Sequence, residues 1–148
     1  MKIESEAFEP GLAIPPRYAC DGENVNPPLK FSNIPQEAKS LALVVDDPDA
    51  PNGTFIHWLI WNIPTDTSEI GEKTDSQSMV TGLNGFGKVN YGGPCPPKGE
   101  EHRYFFKLYA LNAILDLKQG TVYDALKQKI NDHIVSEAVL MGTYKRKE

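Results

Sequence analysis

A chain of 148 residues, 40% hydrophobic and 24% charged, has the balance of a globular protein and not of a disordered one. At this length a chain buries roughly 70% of its unfolded surface, so a core forms without a framework of staples. The net charge of −5 argues against a general nucleic-acid binder, which needs a basic face for the phosphates.

All 12 prolines lie at or before Pro97, so a turn-rich first two-thirds gives way to a regular final third. With no internal repeat and no linker, residues 1–148 read as a single domain. In chain order, residues 3–8 and 29–31 are weak strand candidates. Residues 40–46 (SLALVVD) form an apolar run of the kind that is buried on both faces. Residues 55–63 (FIHWLIWNI) are aromatic and β-branched and stop at Pro64. That alternation puts His57 on one face with Phe55, Leu59 and Trp61.

Residues 82–99 hold six glycines and three prolines, half of the segment, and predict a long shaped loop of the kind that lines binding sites. A plain surface excursion is the alternative. Residues 102–111 alternate with period two, placing His102, Tyr104, Phe106 and Leu108 on one face and Arg103 on the other, where an acidic partner is expected. The spacing Val122, Leu126, Ile130, Ile134 predicts a helix opened by a capping box at Thr121–Asp124. Residues 138–145 supply a last strand. Many strands and one late helix imply a mainly-β protein, a sandwich or a barrel with a helix packed on its flank.

Two cysteines, Cys20 and Cys95, are too few for a disulfide framework and lack metal-type spacing, while a single bridge between them stays open. The first residues have no apolar core, and no run approaches the length of a membrane span, which leads to the expectation of a soluble cytoplasmic protein. The run Lys145-Arg146-Lys147 reads as a solvated C-terminus.

Four chemistries compete for the polar groups. Asp47-x-Asp49 after an apolar strand resembles a phosphotransferase nucleophile, but the parallel α/β scaffold that chemistry needs is missing. His57 and His102 with a carboxylate offer metal ligands at unconstrained spacing. Cys95 with a histidine offers a nucleophilic dyad, although its flanking prolines leave few N–H donors beside it. The fourth is a non-catalytic anion pocket, in which histidines, a tyrosine hydroxyl and loop N–H groups hold a phosphate or sulfate monoester. Asp47 then orients an imidazole and favours its charged form. Phe55, Trp58 or Trp61, and Phe86 are candidate apolar walls. A buried His57 satisfied within the core is the plain alternative to any of these.

The strand followed by DPDAP (residues 47–51), the His57-Trp58 pair and GGPCPPKG…HRY (residues 92–104) resemble the phosphatidylethanolamine-binding protein family, whose animal members include the Raf kinase inhibitor protein. The opening FEPGLAIPPRYACDGENVNPPL and the closing VLMGTY are similar to its bacterial and archaeal branch, so the resemblance spans the chain. It implies an antiparallel β-sandwich with one helix packed on it in the C-terminal region, and a pocket for phosphate-type head groups. Matched by motif, the ligand-binding residues are Asp47, Asp49, Pro51, His57, Gly93, Pro94, His102 and Tyr104.

The implied role is binding and regulation of a kinase- or protease-inhibitor type, with no catalytic residue, cofactor or metal. The implied partners are a small phosphate-type anion or phospholipid head group and a kinase or protease, with no nucleic acid and no integral membrane. A homodimer is left open. The alternative is a metal-assisted or Cys-dependent small-ester hydrolase in the same cleft. Two departures stand out. The chain stops just past its last strand, without the C-terminal helix of larger eukaryotic members, so a more open pocket is expected. The pocket strand also reads Ile56-His57-Trp58 in place of paired histidines.

Overall fold

The apolar run at residues 40–46 lies at the centre of the molecule. It forms strand β3 (Ser40–Asp47), and all of its residues are buried. In this computed structural model, which describes residues 1–147, β3 pairs antiparallel with β4 (Phe55–Ile63) on one side and with β7 (Glu101–Leu111) on the other. The short β6 (Val80–Thr81) extends the sheet beyond β4, and β8 (Ile134–Lys145) extends it beyond β7, giving the order β6-β4-β3-β7-β8. A second antiparallel sheet holds β1 (Lys2–Glu4), β2 (Leu29–Ser32) and β5 (Glu69–Ile70) in the order β1-β2-β5. The two sheets stack as a mainly-β sandwich and, among the described residues, do not close into a barrel.

Burial of β3 on both faces has a direct cause. Leu41, Leu43 and Val45 point into the core between the sheets, where they meet Leu29, Phe31 and Ile70 of the small sheet and Trp58, Ile60, Phe106 and Leu108 of the large one. Ala42 and Val44 point the other way, into a second cluster with Leu59, Trp61, Leu111 and Leu115 beneath helix α1 (Tyr123–Asn131). Leu126 and Ile130 are the helix residues buried there. Truncating fully buried Leu126 to alanine costs about 2–5 kcal/mol by the usual sum of lost transfer and cavity terms.

The outer edge of β8 is not left bare. Ile14 N–H donates to Thr143 O (2.7 Å), Thr143 N–H to Leu12 O (3.0 Å) and Gly11 N–H to Met141 O (2.7 Å), so the N-terminal segment lies along the edge that would otherwise recruit a foreign strand. Gly142 permits this approach, since a Cβ there would sit 2.7 Å from side-chain atoms of both Ile14 and Phe8.

Local structure departs from the sequence reading in four places. The expected strand at residues 3–8 is only three residues long. The capping box does not form: Thr121 Oγ1 donates to Lys118 O (2.6 Å), the helix opens at Val122 without a side-chain cap, and Val122 is exposed. The helical spacing also runs one turn too far, because α1 ends at Asn131 and Ile134 already pairs with Leu111 as the start of β8. The last strand therefore begins four residues before the expected Ala138. Two short strands, β5 and β6, carry no pattern long enough to be read.

Candidate functional site

The antiparallel order brings the C-terminal ends of β3 and β8 and the N-terminal ends of β4 and β7 to one end of the large sheet. There lies a cleft of about 420 Å³, lined among others by Asp47, Pro51, Phe55, His57, His102 and Arg146.

Asp46 and Asp47 end β3 on opposite faces. Asp46 Oδ2 accepts from Lys107 Nζ at 2.8 Å on the helix side. Asp47 faces the cleft, where its Oδ1 accepts from the N–H of Asp49 (2.8 Å), a local turn that fixes the carboxylate, and its Oδ2 accepts from His102 Nδ1 (2.8 Å). Asp49 turns away from the cleft. It accepts from the N–H, Nε and Nη2 of Arg103 at 2.9, 2.9 and 2.8 Å, so the acidic partner expected for Arg103 is Asp49. The Arg103 guanidinium holds the Asp49 carboxyl down at about 2.

His57 is placed by an irregularity. Val45 pairs with Trp58 but Asp46 pairs with Ile56, so β4 carries one extra residue at His57. Such a bulge re-aims a side chain. Past it, Leu59 and Trp61 pack under α1, whereas Phe55 and His57 face the cleft, with ring centroids 4.9 Å apart. The single face expected for Phe55, His57, Leu59 and Trp61 is thus split by the bulge, and Trp58 and Trp61 go to the core. The imidazole is boxed by Phe55, by Phe86 at 5.7 Å and by Tyr104 at 5.2 Å. Burial among these rings lowers its pKa and outweighs the hydrogen bond to the loop. In the neutral ring Nδ1–H donates to Gly92 O (2.7 Å), and Nε2 has no protein partner among the described residues.

His102 is the electrical opposite. Burial works against its charge, but hydrogen bonds to Asp47 and Glu100 prevail and raise its pKa. Both ring nitrogens face carboxylates, Nδ1 toward Asp47 and Nε2 toward Glu100 Oε1 at 3.1 Å, an arrangement that favours two donors and so the imidazolium form. Tyr104 packs against His57 and does not line the cleft; it is 1% exposed, and its hydroxyl has no hydrogen-bond partner among the described residues. Burial first, and then the negative charge of Asp47, push that phenol well above its ordinary pKa.

The loop over residues 82–99 forms the remaining wall. It is fastened to the N-terminal loop by a Cys20–Cys95 disulfide across 75 residues, by Cys20 N–H to Pro94 O (3.0 Å) and by Gly93 N–H to Asn24 Oδ1 (2.7 Å). Gly93 is required by close packing, because a Cβ would stand 2.1 Å from Tyr18 O. Gly92 N–H donates to His57 O (3.0 Å). The amides of Gly92 and Gly93 are therefore engaged within the protein. Gly93 and Pro94 shape the wall from behind and do not line the cleft, whereas Pro51, Pro96 and Pro97 do. Phe86, 45% exposed, stands at the mouth.

The sequence and the two-sheet fold have close counterparts. The sequence model for phosphatidylethanolamine-binding protein matches residues 4–145. The chain belongs to the phosphatidylethanolamine-binding protein family. A UPF0098 protein of Methanothermobacter thermautotrophicus is 45% identical over 151 residues, covering 99% of this chain and 99% of that one. The crystal structure of a phosphatidylethanolamine-binding protein homolog, CT736 of Chlamydia trachomatis, superposes with a TM-score of 0.92 at 41% identity, covering 98% of this chain and 97% of that one. E. coli YbcL, described as a member of the mammalian family, also gives 0.92, at 28% identity, with 99% and 98% covered. Membership in the phosphatidylethanolamine-binding protein family supports a binding-protein fold.

Three residues escaped the sequence reading, of which Arg146 lines this family member's cleft and Glu100 and Asn24 contact the groups that form it. Glu100 lies two residues before His102 and so falls on the same side of an extended chain, a signal visible in GEEHRY. Arg146 was expected to be solvated, but Gly99 N–H donates to its carbonyl (3.0 Å) and its side chain lines the cleft. Asn24, at φ 61°, holds the loop through Gly93, and no pattern in the sequence points to it. Among the described residues no helix is long and apolar enough to cross a membrane.

Proposed function

We propose that the cleft is a non-catalytic binding site for a phosphate-type anion, free or as a phospholipid head group, and that the protein acts by binding, in a regulatory role of the kinase- or protease-inhibitor type. The observation that carries this is the pairing in one cleft of His102, whose two ring nitrogens both face carboxylates and favour an imidazolium, with His57, whose Nδ1 faces a carbonyl among aromatic rings and favours a neutral imidazole. The first supplies positive charge; the second accepts a hydrogen bond from a P–OH group or takes a proton from it. Arg146 adds a second cation at the rim. Asp47 sets the charge of His102, Tyr104 buttresses the His57 ring, Pro51 lines the wall, Asp49 locks the turn, and Gly93 and Pro94 shape the loop. Phe55 and Phe86 offer an apolar surface to a short substituent.

The Cys-dependent hydrolase alternative loses its nucleophile, since Cys95 is bonded to Cys20. A structural disulfide persists in oxidising compartments and inside hyperthermophiles.

The test is a titration with inorganic phosphate and, in parallel, phosphoethanolamine, following the His57 and His102 imidazole resonances. Perturbation of both rings by both ligands is expected, and tighter binding of phosphoethanolamine identifies a head-group site. No perturbation up to millimolar ligand, or full affinity in His57→Ala, removes the proposal.

A further inference from the structure

The two carboxylates on His102 are not equivalent. Asp47 is buried, with a side chain 5% exposed, and is held by both His102 and the Asp49 N–H. Glu100 has a side chain 56% exposed, and His102 Nε2 is its carboxylate's only hydrogen-bond partner among the described residues. One is built in; the other is removable.

Nε2 is also the only N–H that His102 has left to offer, because Nδ1 is committed to Asp47. A carboxylate oxygen carries the same kind of charge and lone pairs as a phosphate oxygen and uses the same donor. Resting on the anion-site reading above, we infer that Glu100 is an internal anion that occupies the donor of this site, and that an incoming anion must displace its carboxylate from His102 Nε2. Glu100 is then the residue that sets affinity and selects ligands by charge. A neutral hydroxyl or carbonyl is a weaker acceptor than the carboxylate it would replace, whereas a phosphate competes.

The geometry allows the exchange. Glu100 sits where the loop meets β7, with its own N–H donating to Pro97 O (3.0 Å), so the side chain can swing into solvent while the backbone stays in place. Arg146, paired to Asp21 through Nε at a long 3.4 Å, stands on the rim with the guanidinium that can receive either the ligand or the displaced carboxylate.

The experiment measures inorganic phosphate binding to the full chain and to Glu100→Ala and Glu100→Gln by calorimetry. In wild type it also follows the Glu100 side-chain carboxyl ¹³C signal during the titration. Removing the internal competitor is expected to tighten phosphate about tenfold in Glu100→Ala, equivalent to about 1.4 kcal/mol. Glu100→Gln should give a smaller gain, and the wild-type Glu100 signal should move toward its solvent-exposed position on saturation. Binding to Glu100→Ala alone, with none to wild type, supports the inference more strongly. Wild-type binding with no gain in Glu100→Ala, or a Glu100 signal that does not move, overturns it and leaves the anion site standing. Absence of phosphate binding by all three proteins overturns the site itself.

Discussion

Asp47 and His102 form a buried ion pair across 55 residues of sequence, 2.8 Å from Oδ2 to Nδ1, with both side chains about 95% withdrawn from solvent. Burial alone would expel the charge from the ring, and the hydrogen bonds to Asp47 and Glu100 reverse that outcome. His102 is therefore expected to titrate above the ordinary histidine value of about 6.5. A pKa raised by folding contributes stability that is fully present below the unfolded value and is lost as pH rises through the folded one. Stability measured by urea should thus fall on the alkaline side of about 6.5. Asp47→Asn leaves Glu100 as the one remaining carboxylate on the ring, so it should weaken this dependence and lower the His102 midpoint, at a cost of about 3–5 kcal/mol for a broken buried pair. NMR titration of the imidazole reads the midpoint directly; one at or below 6.5 in wild type contradicts the account.

His57 makes the opposite prediction. Burial keeps its pKa low, so at pH 7 it is neutral with Nε2 as an acceptor. A phosphomonoester, whose second pKa is about 6, then binds either as the protonated monoanion or by protonating His57. Both routes take up one proton above that pKa. Affinity should fall up to about tenfold per pH unit between about 6.5 and 8.5, and calorimetry in buffers of different ionisation enthalpy should show uptake approaching one proton. His102 adds to the same trend once it begins to deprotonate. Affinity that is flat over this range would falsify the role given to His57.

The architecture was legible because its long strands carry period-two or continuous apolar patterns, as in residues 40–46 and 102–111. The site was legible as a set of residues and not as a geometry. The alternation at residues 55–63 puts His57 with Leu59, and only the extra residue opposite Val45 and Asp46 turns it to the cleft. No glycine or proline marks that bulge, so it arises from tertiary packing. Spacing likewise says nothing of where Cys20 and Cys95 lie in space. The capping residues at Thr121 failed as a guide because Thr121 Oγ1 finds a carbonyl, that of Lys118, before it finds a helix N–H.

Tyr104 separates stability from binding. Its hydroxyl is fully buried without a hydrogen-bond partner, which carries a desolvation cost that phenylalanine would not. Tyr104→Phe keeps the ring against His57 and is expected to raise unfolding stability by about 1 kcal/mol while leaving phosphate binding unchanged, because Tyr104 does not line the cleft. A loss of stability above about 1 kcal/mol would show that the hydroxyl already has a partner. Urea denaturation with and without phosphate measures both.

The Cys20–Cys95 disulfide couples stability to the shape of the site. It closes a loop of 75 residues, and such cross-links contribute about 2–4 kcal/mol, chiefly by restricting the unfolded chain. For a chain of this size each kcal/mol moves the melting temperature by about 3 °C, so reduction should lower Tm by about 6–12 °C. The same bond pins the wall of the cleft: Cys95 lines it, Pro94 is tied to Cys20, and Gly93 is tied to Asn24 three residues beyond Asp21. Loosening this wall removes the carbonyl of Gly92 from a fixed position under His57 Nδ1. Reduction is therefore expected to weaken phosphate binding severalfold at temperatures where the protein stays folded, and a Cys20→Ser/Cys95→Ser double variant should reproduce both effects without reductant. Melting curves and phosphate titrations on oxidised, reduced and double-variant protein check this. A Tm unchanged after both thiols are shown to be free would mean that the hydrogen bonds around residues 92–94 hold the loop on their own.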